Sequence, residues 1–576
     1  MTALAKHLPL IETLKSYDKS RVRGDLVAGL TTAVMLIPQG MAYAMLAGLP
    51  PIYGLYASLI PLAVYAVFGT SRQLAVGPVA MVSLLVAAGV ANLAPVGSDA
   101  FVAYALLLAL MVGALQLSMG VLRLGFLVNF LSHPVISGFT SAAAIIIGFS
   151  QLKHLLGFGI PRSHHVHTIL LAAWSGIGQT HVLTLIIGAA AVAALLALKK
   201  YAPRFPRALL VVVASTLAVW GFGLHGRGVA IVGDVPAGLP ALSLPTVDVS
   251  AVVELAGVAL AIGLVGFMES IAVAKKYARD EGYEVDANKE LVGLGLANLL
   301  GSFAGSYPVT GGFSRTAVNA QAGAKTNVAG LITAAVVALA LVLFTPLFYF
   351  LPKAVLAAII MTAVFGLVDV AEVKHLWKVK RPDLALLALT FVATLTIGIE
   401  AGILTGVAAS LAVMVFRTTR PHVAVLGRIP GTQEYRNVKR FPEAESTGSV
   451  LAVRLDAQVY FGNVNFLKET LEALEHDREP VHTVVLDCSG INQIDSSGET
   501  AFREVLDGYR SRDVTLRLAQ VKGPVRDVLY RSGFVEELGA DHLHLSVADA
   551  MRAMEPSGPD RSRSGADAWP QMRRAS

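Results

Sequence analysis

Up to about residue 420 the chain alternates long apolar runs with short polar breaks. The runs fall at about 25–47, 52–69, 76–92, 101–122, 134–152, 182–198, 208–224, 251–274, 289–304, 309–322, 327–350, 354–368, 384–399 and 401–417, fourteen in all. A helix needs about 20 apolar residues to cross a bilayer. The run at 309–322 falls well short of that, as a half-helix would. Residues 1–24 read as a short amphipathic lead-in ending in Lys19, Arg21 and Arg23. Beyond residue 420 the pattern changes. A loop over 421–447 leads to expected strands at Val450–Leu455, Gln458–Phe461, His482–Asp487 and Val514–Val521. Helices are expected near 464–475, 496–509, 524–531 and 546–554. Strand and helix in alternation predict a small layered α/β domain over 430–555, followed by a disordered tail at 556–576.

The apolar part repeats. A shift of 230 carries Gln39 in IPQGMAYA onto Glu269 in FMESIAVA, and Pro78 in AVGPVAMV onto Pro308 in GSYPVTGG. A shift of 218 carries Pro134 and Gly148 onto Pro352 and Gly366. Seven runs per repeat is an odd number, so the halves, about 25–224 and 251–417, must be inverted relative to each other. The expected fold is therefore an α-helical polytopic membrane protein of about 14 transmembrane segments in a 7+7 inverted repeat, with an α/β domain after it. Interrupted segments at matching places in two inverted halves mark a transporter's binding site. Here they are expected to begin at Pro78 and Pro308, with proline in the first helical turn and the two helix N-termini facing each other.

Charge sharpens the division. The chain is 55% hydrophobic and 15% charged, with mean hydropathy +0.63. Of the first 420 residues 44 are charged, against 42 of the last 156, so a membrane domain over 25–420 gives way to a water-soluble one. With the N-terminus inside, even-numbered connections carry fifteen Lys and Arg and odd-numbered ones four. That bias places both termini in the cytoplasm. The net charge of +6 is accounted for by those loops and calls for no nucleic acid. The single cysteine, Cys488, excludes an intramolecular disulfide framework. The N-terminus lacks the apolar core of a signal peptide.

Arg315 is the centre of the candidate chemistry. It sits in GSFAGSYPVTGGFSRTAVNAQ, among glycines, prolines and hydroxyl residues. An arginine at bilayer depth costs roughly 2.5–3.5 kcal/mol, so it faces a cavity or a partner. Non-helical backbone at that depth survives only where protein buries it or it lines such a cavity. Two opposed helix N-termini attract anions, and the guanidinium fork suits an oxyanion. Ser314 and Thr310 can add donors, Gln39 can donate from the first repeat, and Tyr43 one turn later can wall the cavity. Gln39 and Tyr43 equally suit an interhelical hydrogen bond with no ligand. Glu269 is the other ionisable group at this depth, either a carrier of a coupling proton or sodium ion, with Thr310 beside it, or a counter-charge to Arg315. His164, His165 and His167 read as a solvated loop rather than a metal site, and no GxxxxGK[ST] stretch supports ATP-driven transport.

Five stretches, IPQGMAYAMLAGLPPIYGLYAS, GTSRQLAVGPVAMVSL, SHPVISGFTSAAA, GFMESIAVAKKYA and GGFSRTAVNAQAGAKT, resemble in order those of the SulP (sulfate permease) family of anion transporters. The C-terminal part resembles that family's STAS domain. The resemblance implies core and gate domains, elevator-like movement of the core and a homodimer. It puts the anion site on Gln39, Tyr43, Gly77, Pro78, Val79, Phe313, Ser314 and Arg315, and cation coupling on Glu269. STAS antagonists are phosphorylated on the second serine of a DSSG turn, here Ser497; Asp495 with Ser496 or Ser497 can instead simply cap a helix. The implied function is secondary active transport of sulfate, bicarbonate or a dicarboxylate across the cytoplasmic membrane, with no enzymatic activity and no cofactor beyond a coupling ion. An uncoupled exchanger or channel, a nucleobase carrier and a membrane-tethered STAS regulator are the alternatives. Arg315 argues against the nucleobase carrier, and a duplicated bundle argues against the regulator, for which one anchoring helix would serve.

Overall fold

The computed structural model describes residues 9–15, 17–126, 132–160, 166–202, 206–446, 448–478 and 480–554. The expected tail at 556–576, the first eight residues, and His164 and His165 lie outside the described residues. The chain divides into two compact units, residues 1–410 and 411–576.

In the first unit every one of the fourteen apolar runs contains a helix. The first half comprises α1 (Lys19–Ala47), α2 (Pro51–Tyr56), α3 (Ile60–Phe68), the two-residue strand β1 (Val76–Gly77), α4 (Ala80–Ala91), α5 (Asp99–Val121), α6 (His133–Ser150), α7 (Val182–Tyr201) and α8 (Arg207–Gly221). The second half comprises α9 (Val249–Asp280), α10 (Ala287–Ser302), the strand β2 (Thr310–Gly311), α11 (Phe313–Gln321), α12 (Val328–Leu339), α13 (Lys353–Val364), α14 (Val370–Val379), α15 (Arg381–Thr396) and α16 (Ile399–Thr419). Among the described residues nine helical spans are long and apolar enough to cross a membrane. The helices that fall short include α4, α8 and α11.

Helix packing sorts this unit into two bodies. In one, α5 packs on α10 and α9, α10 on α3, and α12, α4 and α11 on α1. In the other, α6 packs on α15 and α7 on α13. Glycine makes the close approaches possible: a Cβ on Gly113 of α5 would lie 2.4 Å from the backbone nitrogen of Leu299 on α10, and one on Gly138 of α6 would lie 2.4 Å from the Leu387 carbonyl oxygen on α15. Buried polar groups staple the first body. Glu290 accepts from Tyr65 Oη at 2.7 Å and from the Thr70 backbone N–H at 2.7 Å and hydroxyl at 2.6 Å. Asp25 accepts the N–H groups of Lys325 at 2.7 Å and Thr326 at 2.9 Å. The bodies meet where α13 and α8 lie on α1 and α6 lies on α4. Among the described residues no side-chain hydrogen bond joins these helices across that seam.

β1 and β2 pair antiparallel, Val76 opposite Gly311 and Gly77 opposite Thr310. The helices they feed start later than the prolines suggest. α4 begins at Ala80 behind the cap residue Val79, and α11 begins at Phe313 behind Gly312. Neither Pro78 nor Pro308 therefore stands in a first helical turn, and the equivalent starts are 233 residues apart rather than 230. The cause is local. Asn298 of α10 accepts the Val309 N–H at 2.8 Å and donates to the Val309 carbonyl at 3.0 Å, holding the chain extended past Pro308.

The second unit is a six-stranded sheet ordered β4-β3-β5-β6-β7-β8, with β3 (Val423–Arg428), β4 (Tyr435–Asn437), β5 (Val450–Leu455), β6 (Thr483–Asp487), β7 (Thr515–Ala519) and β8 (Leu543–His544). Strands β5 to β8 are parallel, while β3 is antiparallel to both its neighbours. The segment expected as a loop thus supplies β3 and β4, because Ala424 and Leu426 alternate inward. The strand expected at Gln458–Phe461 is only a single bridge, Val459 to Ile494, which Asp495 closes by accepting the Phe461 N–H at 3.0 Å. Asp495 also caps the helix Ser496–Arg510 through the Gly498 N–H at 2.8 Å, and Ser497 is its second residue. Cys488 is fully buried in this unit's core, which holds its thiol pKa well above the ordinary range.

Candidate anion-binding site

Arg315, third residue of α11, is 1% exposed. Its Nη1 donates to the carbonyl oxygen of Pro78, and its Nε and Nη2 are buried without a partner. Burying a cation with bare donors is costly unless something accepts from them. Two glycines open the space it occupies. A Cβ on Gly312 would sit 2.8 Å from Cζ of Arg315, and one on Gly77 would sit 3.4 Å from Nη2.

The helix ends beside it are also unmet. Neither Val79 nor Gly312 caps its helix with a side chain, so the first-turn N–H groups of α4 and α11 remain as donors. The β1–β2 pairing, with Gly312 N–H donating to the Ala75 carbonyl at 3.1 Å, fixes the two helix starts in one piece of protein. A full positive charge and two partial ones converge on one spot.

That spot opens on a cavity of about 500 Å³ between the two bodies. Gln39, Tyr43, Val79, Glu269, Phe313, Ser314 and Arg315 all line it. Gln39 Nε2 donates to Tyr43 Oη at 3.0 Å, leaving Oε1 buried and unpartnered. An amide's two ends are assigned by their hydrogen bonds; turned over, the amide accepts from Tyr43 and presents its NH₂ to the cavity. Gly77 and Pro78 lie behind the cavity wall rather than on it, one in β1 and the other holding Arg315. Thr310 also stands off the cavity. Its Oγ1 donates to the Gly266 carbonyl and meets Ser270 Oγ at 2.6 Å, and Ser270 Oγ in turn accepts the Gly311 N–H at 2.7 Å. That hydroxyl is fully used in tying β2 to α9, the helix of Glu269. No carboxylate lies within ion-pair distance of Arg315 among the described residues.

Sequence reasoning missed part of the lining. Thr140, Thr362, His133, Lys199 and Arg207 face the cavity from the second body. Lys199 and Arg207 were visible in the sequence only as loop charges that report topology. Asn298 and Gln116 were not singled out, although Asn298 Nδ2 also donates to Gln116 Oε1 at 3.0 Å and Gln116 reaches the Gly263 carbonyl at 3.1 Å.

Residues 22–390 match the Sulfate permease family and residues 441–550 the STAS domain. The chain belongs to the sulfate permease family. This permease is 42% identical over 566 residues to "Sulfate transporter 4.1, chloroplastic" of Arabidopsis thaliana, covering 94% of this chain and 82% of that one. Its fold matches the murine Slc26a9 anion transporter in the inward-facing state, with TM-score 0.89, 27% identity and 96% of this chain covering 94% of that chain. The transmembrane domain of the cyanobacterial bicarbonate transporter BicA matches with TM-score 0.59 and 26% identity, covering 69% of this permease and 98% of that chain. The permease is a multi-pass membrane protein of a transporter family, not an enzyme.

Proposed function

We infer that this protein is a secondary active transporter of small oxyanions of the sulfate, bicarbonate or dicarboxylate class. The observation that carries the reading is the buried Arg315, two of whose donors are unpartnered beside two helix starts that no side chain caps. Relatives named as a sulfate transporter and a bicarbonate transporter support the class. A proton or sodium ion drives the movement by binding at Glu269, which lines the same cavity as Arg315. An anion and a cation held that close favour each other's binding, and the coupling is reciprocal.

An elevator-like movement follows from the partition of the site. Gln39, Glu269 and Arg315 belong to one body, and among the described residues no side-chain hydrogen bond joins α1 and α4 to α6, α8 and α13 where the bodies meet. The first body, with its anion, can then slide along the second with no side-chain hydrogen bond between those helices to break. The inverted 7+7 repeat, a homodimer, and a cytoplasmic membrane with both termini inside complete the reading. The basic loops support the last of these.

The test is uptake of labelled sulfate, bicarbonate and a dicarboxylate into proteoliposomes, with inward proton and sodium gradients imposed separately. Arg315→Ala is expected to abolish uptake while the protein stays folded, and Arg315→Lys to restore part of it, since a point charge lacks the fork. Full transport by Arg315→Ala removes the site from this position. Uptake that ignores both gradients makes the protein an exchanger or a channel.

A further inference from the structure

We propose that α14 is an interfacial helix that binds anionic phospholipid headgroups at the cytoplasmic leaflet. The helix Val370–Val379 is solvent-facing almost throughout, and Leu376 is its one buried residue. Val370, Val373 and Trp377 recur at three- and four-residue spacing, so they share one stripe. They are 56%, 40% and 64% exposed. Lys374 and Lys378 lie one position beyond Val373 and Trp377 and so flank that stripe along its length. Lys380 and Arg381 follow at the helix end, with the Arg381 guanidinium 5.7 Å from the Trp377 ring centroid.

The acidic residues of this segment are engaged elsewhere. Asp369 caps the helix through the Glu372 N–H at 2.9 Å, and Glu372 pairs with His133 at 3.2 Å. Lys374, Lys378 and Lys380 have no carboxylate partner among the described residues. An apolar stripe edged by lysines, with a tryptophan on it, is the composition of a helix lying in the plane of the interface. Tryptophan sits at headgroup level because its ring is apolar and its N–H is not. The basic loops place this end of the bundle at the cytoplasmic face, where anionic lipid gathers.

A contrast within the same chain supports the charge argument. The short helix Val166–Ser175 also exposes a tryptophan, Trp174, at 78%, with Leu170 and Leu171 beside it. It follows α6 much as α14 follows α13, and it carries no lysine or arginine. Both helices expose a tryptophan and neighbouring apolar residues, but of the two only α14 carries lysines. It continues from α13, whose Ile359, Thr362 and Val364 line the cavity. Headgroups held there anchor the second body in the bilayer.

The test uses the full-length protein reconstituted in phosphatidylcholine vesicles, with and without phosphatidylglycerol, and titrated with each lipid in detergent while its melting temperature is followed. Phosphatidylglycerol is expected to raise the melting temperature and phosphatidylcholine is not. The double substitution Lys374→Gln with Lys378→Gln is expected to weaken phosphatidylglycerol affinity roughly 25-fold, about five-fold per charge, while uptake in pure phosphatidylcholine vesicles stays at the wild-type rate. Lys374→Arg with Lys378→Arg keeps the charge and the response. An unchanged phosphatidylglycerol response in the glutamine variant overturns the proposal. So does an equal shift from inorganic phosphate, which makes this a free-anion site, or dissociation of an oligomer by the glutamine variant, which makes it a contact between copies.

Discussion

Gly312→Ala tests the site with the smallest possible change. Gly312 has φ −93° and ψ 128°, a conformation open to alanine, so the backbone needs no adjustment. The new methyl would stand 2.8 Å from Cζ and Nη2 of Arg315, where ordinary contact begins at 3.4 Å. The guanidinium must therefore retreat by about 0.6 Å, the difference between those distances. It is pinned through Nη1 to the Pro78 carbonyl, so the retreat re-aims the two unpartnered donors proposed to meet the anion. A hydrogen bond to a charged group is worth about 1.5–3 kcal/mol, and misaiming it forfeits about 1–2 kcal/mol, a five- to thirty-fold rise in KM. The assay is initial-rate sulfate uptake in proteoliposomes over a range of concentrations, with melting temperature as the control for folding. Gly148→Ala, where the added Cβ meets nothing within 4 Å, is expected to leave KM unchanged. A wild-type KM for Gly312→Ala in a normally folded protein would refute the placement of the anion against Arg315.

Three further outcomes follow from the geometry. Glu269→Gln keeps the shape of the residue and matches Gln39 of the first half, so it is expected to retain anion binding and lose stimulation by a proton or sodium gradient; a variant that responds as the wild type does leaves Glu269 a counter-charge only. Asn298→Ala strands the Val309 N–H and carbonyl and Gln116 Oε1, which should cost about 2–4 kcal/mol of stability and raise KM through the loosened β2, read by denaturation and uptake on the same preparation. In the STAS unit, burial and then the positive Arg517, 3.0 Å away, push His544 down to about 4. Its folded value lies below the ordinary 6.5, so the stability it contributes is present above about 6.5 and drains away as pH falls toward 4. Urea midpoints of the fragment 421–554 should fall across that window, and less steeply in His544→Gln, though His542, also lowered by burial, retains part of the slope.

Much of this protein could be read from its residues because bilayer insertion imposes coarse rules. Each of the fourteen apolar runs contains a helix, though α14 and the helix Val166–Ser175 fall between runs, and the break in charge near residue 420 lies close to the division of the chain at Ser410. A lone arginine among glycines located the cavity, and the match of Gln39 with Glu269 found two residues that share it. Finer features depend on partners that sequence periodicity does not carry. The three-residue offset between the half-helices comes from Asn298, an amide on a different helix that nothing local predicts. Thr310 is held by Gly266 and Ser270, so a hydroxyl near the site in sequence is spent on architecture. Lys199 and Arg207 looked like topology signals because the fold that folds them back over the cavity is long-range. β3 does carry a local signal: Val423 to Leu426 is an unbroken apolar run bounded by Pro421 and His422 before it and Gly427 after it.

Because β1 and β2 clasp, the positive ends of α4 and α11 and the Arg315 guanidinium are held side by side, and like charges so placed repel. An anion between them does two things at once: it makes new bonds and it relieves that repulsion. On the proposed reading the substrate would then also be a structural ligand, adding stability in proportion to the logarithm of its concentration. A cell short of the anion would hold a looser carrier, more readily unfolded and more readily cleared, so supply of the substrate would regulate the lifetime of the protein that moves it.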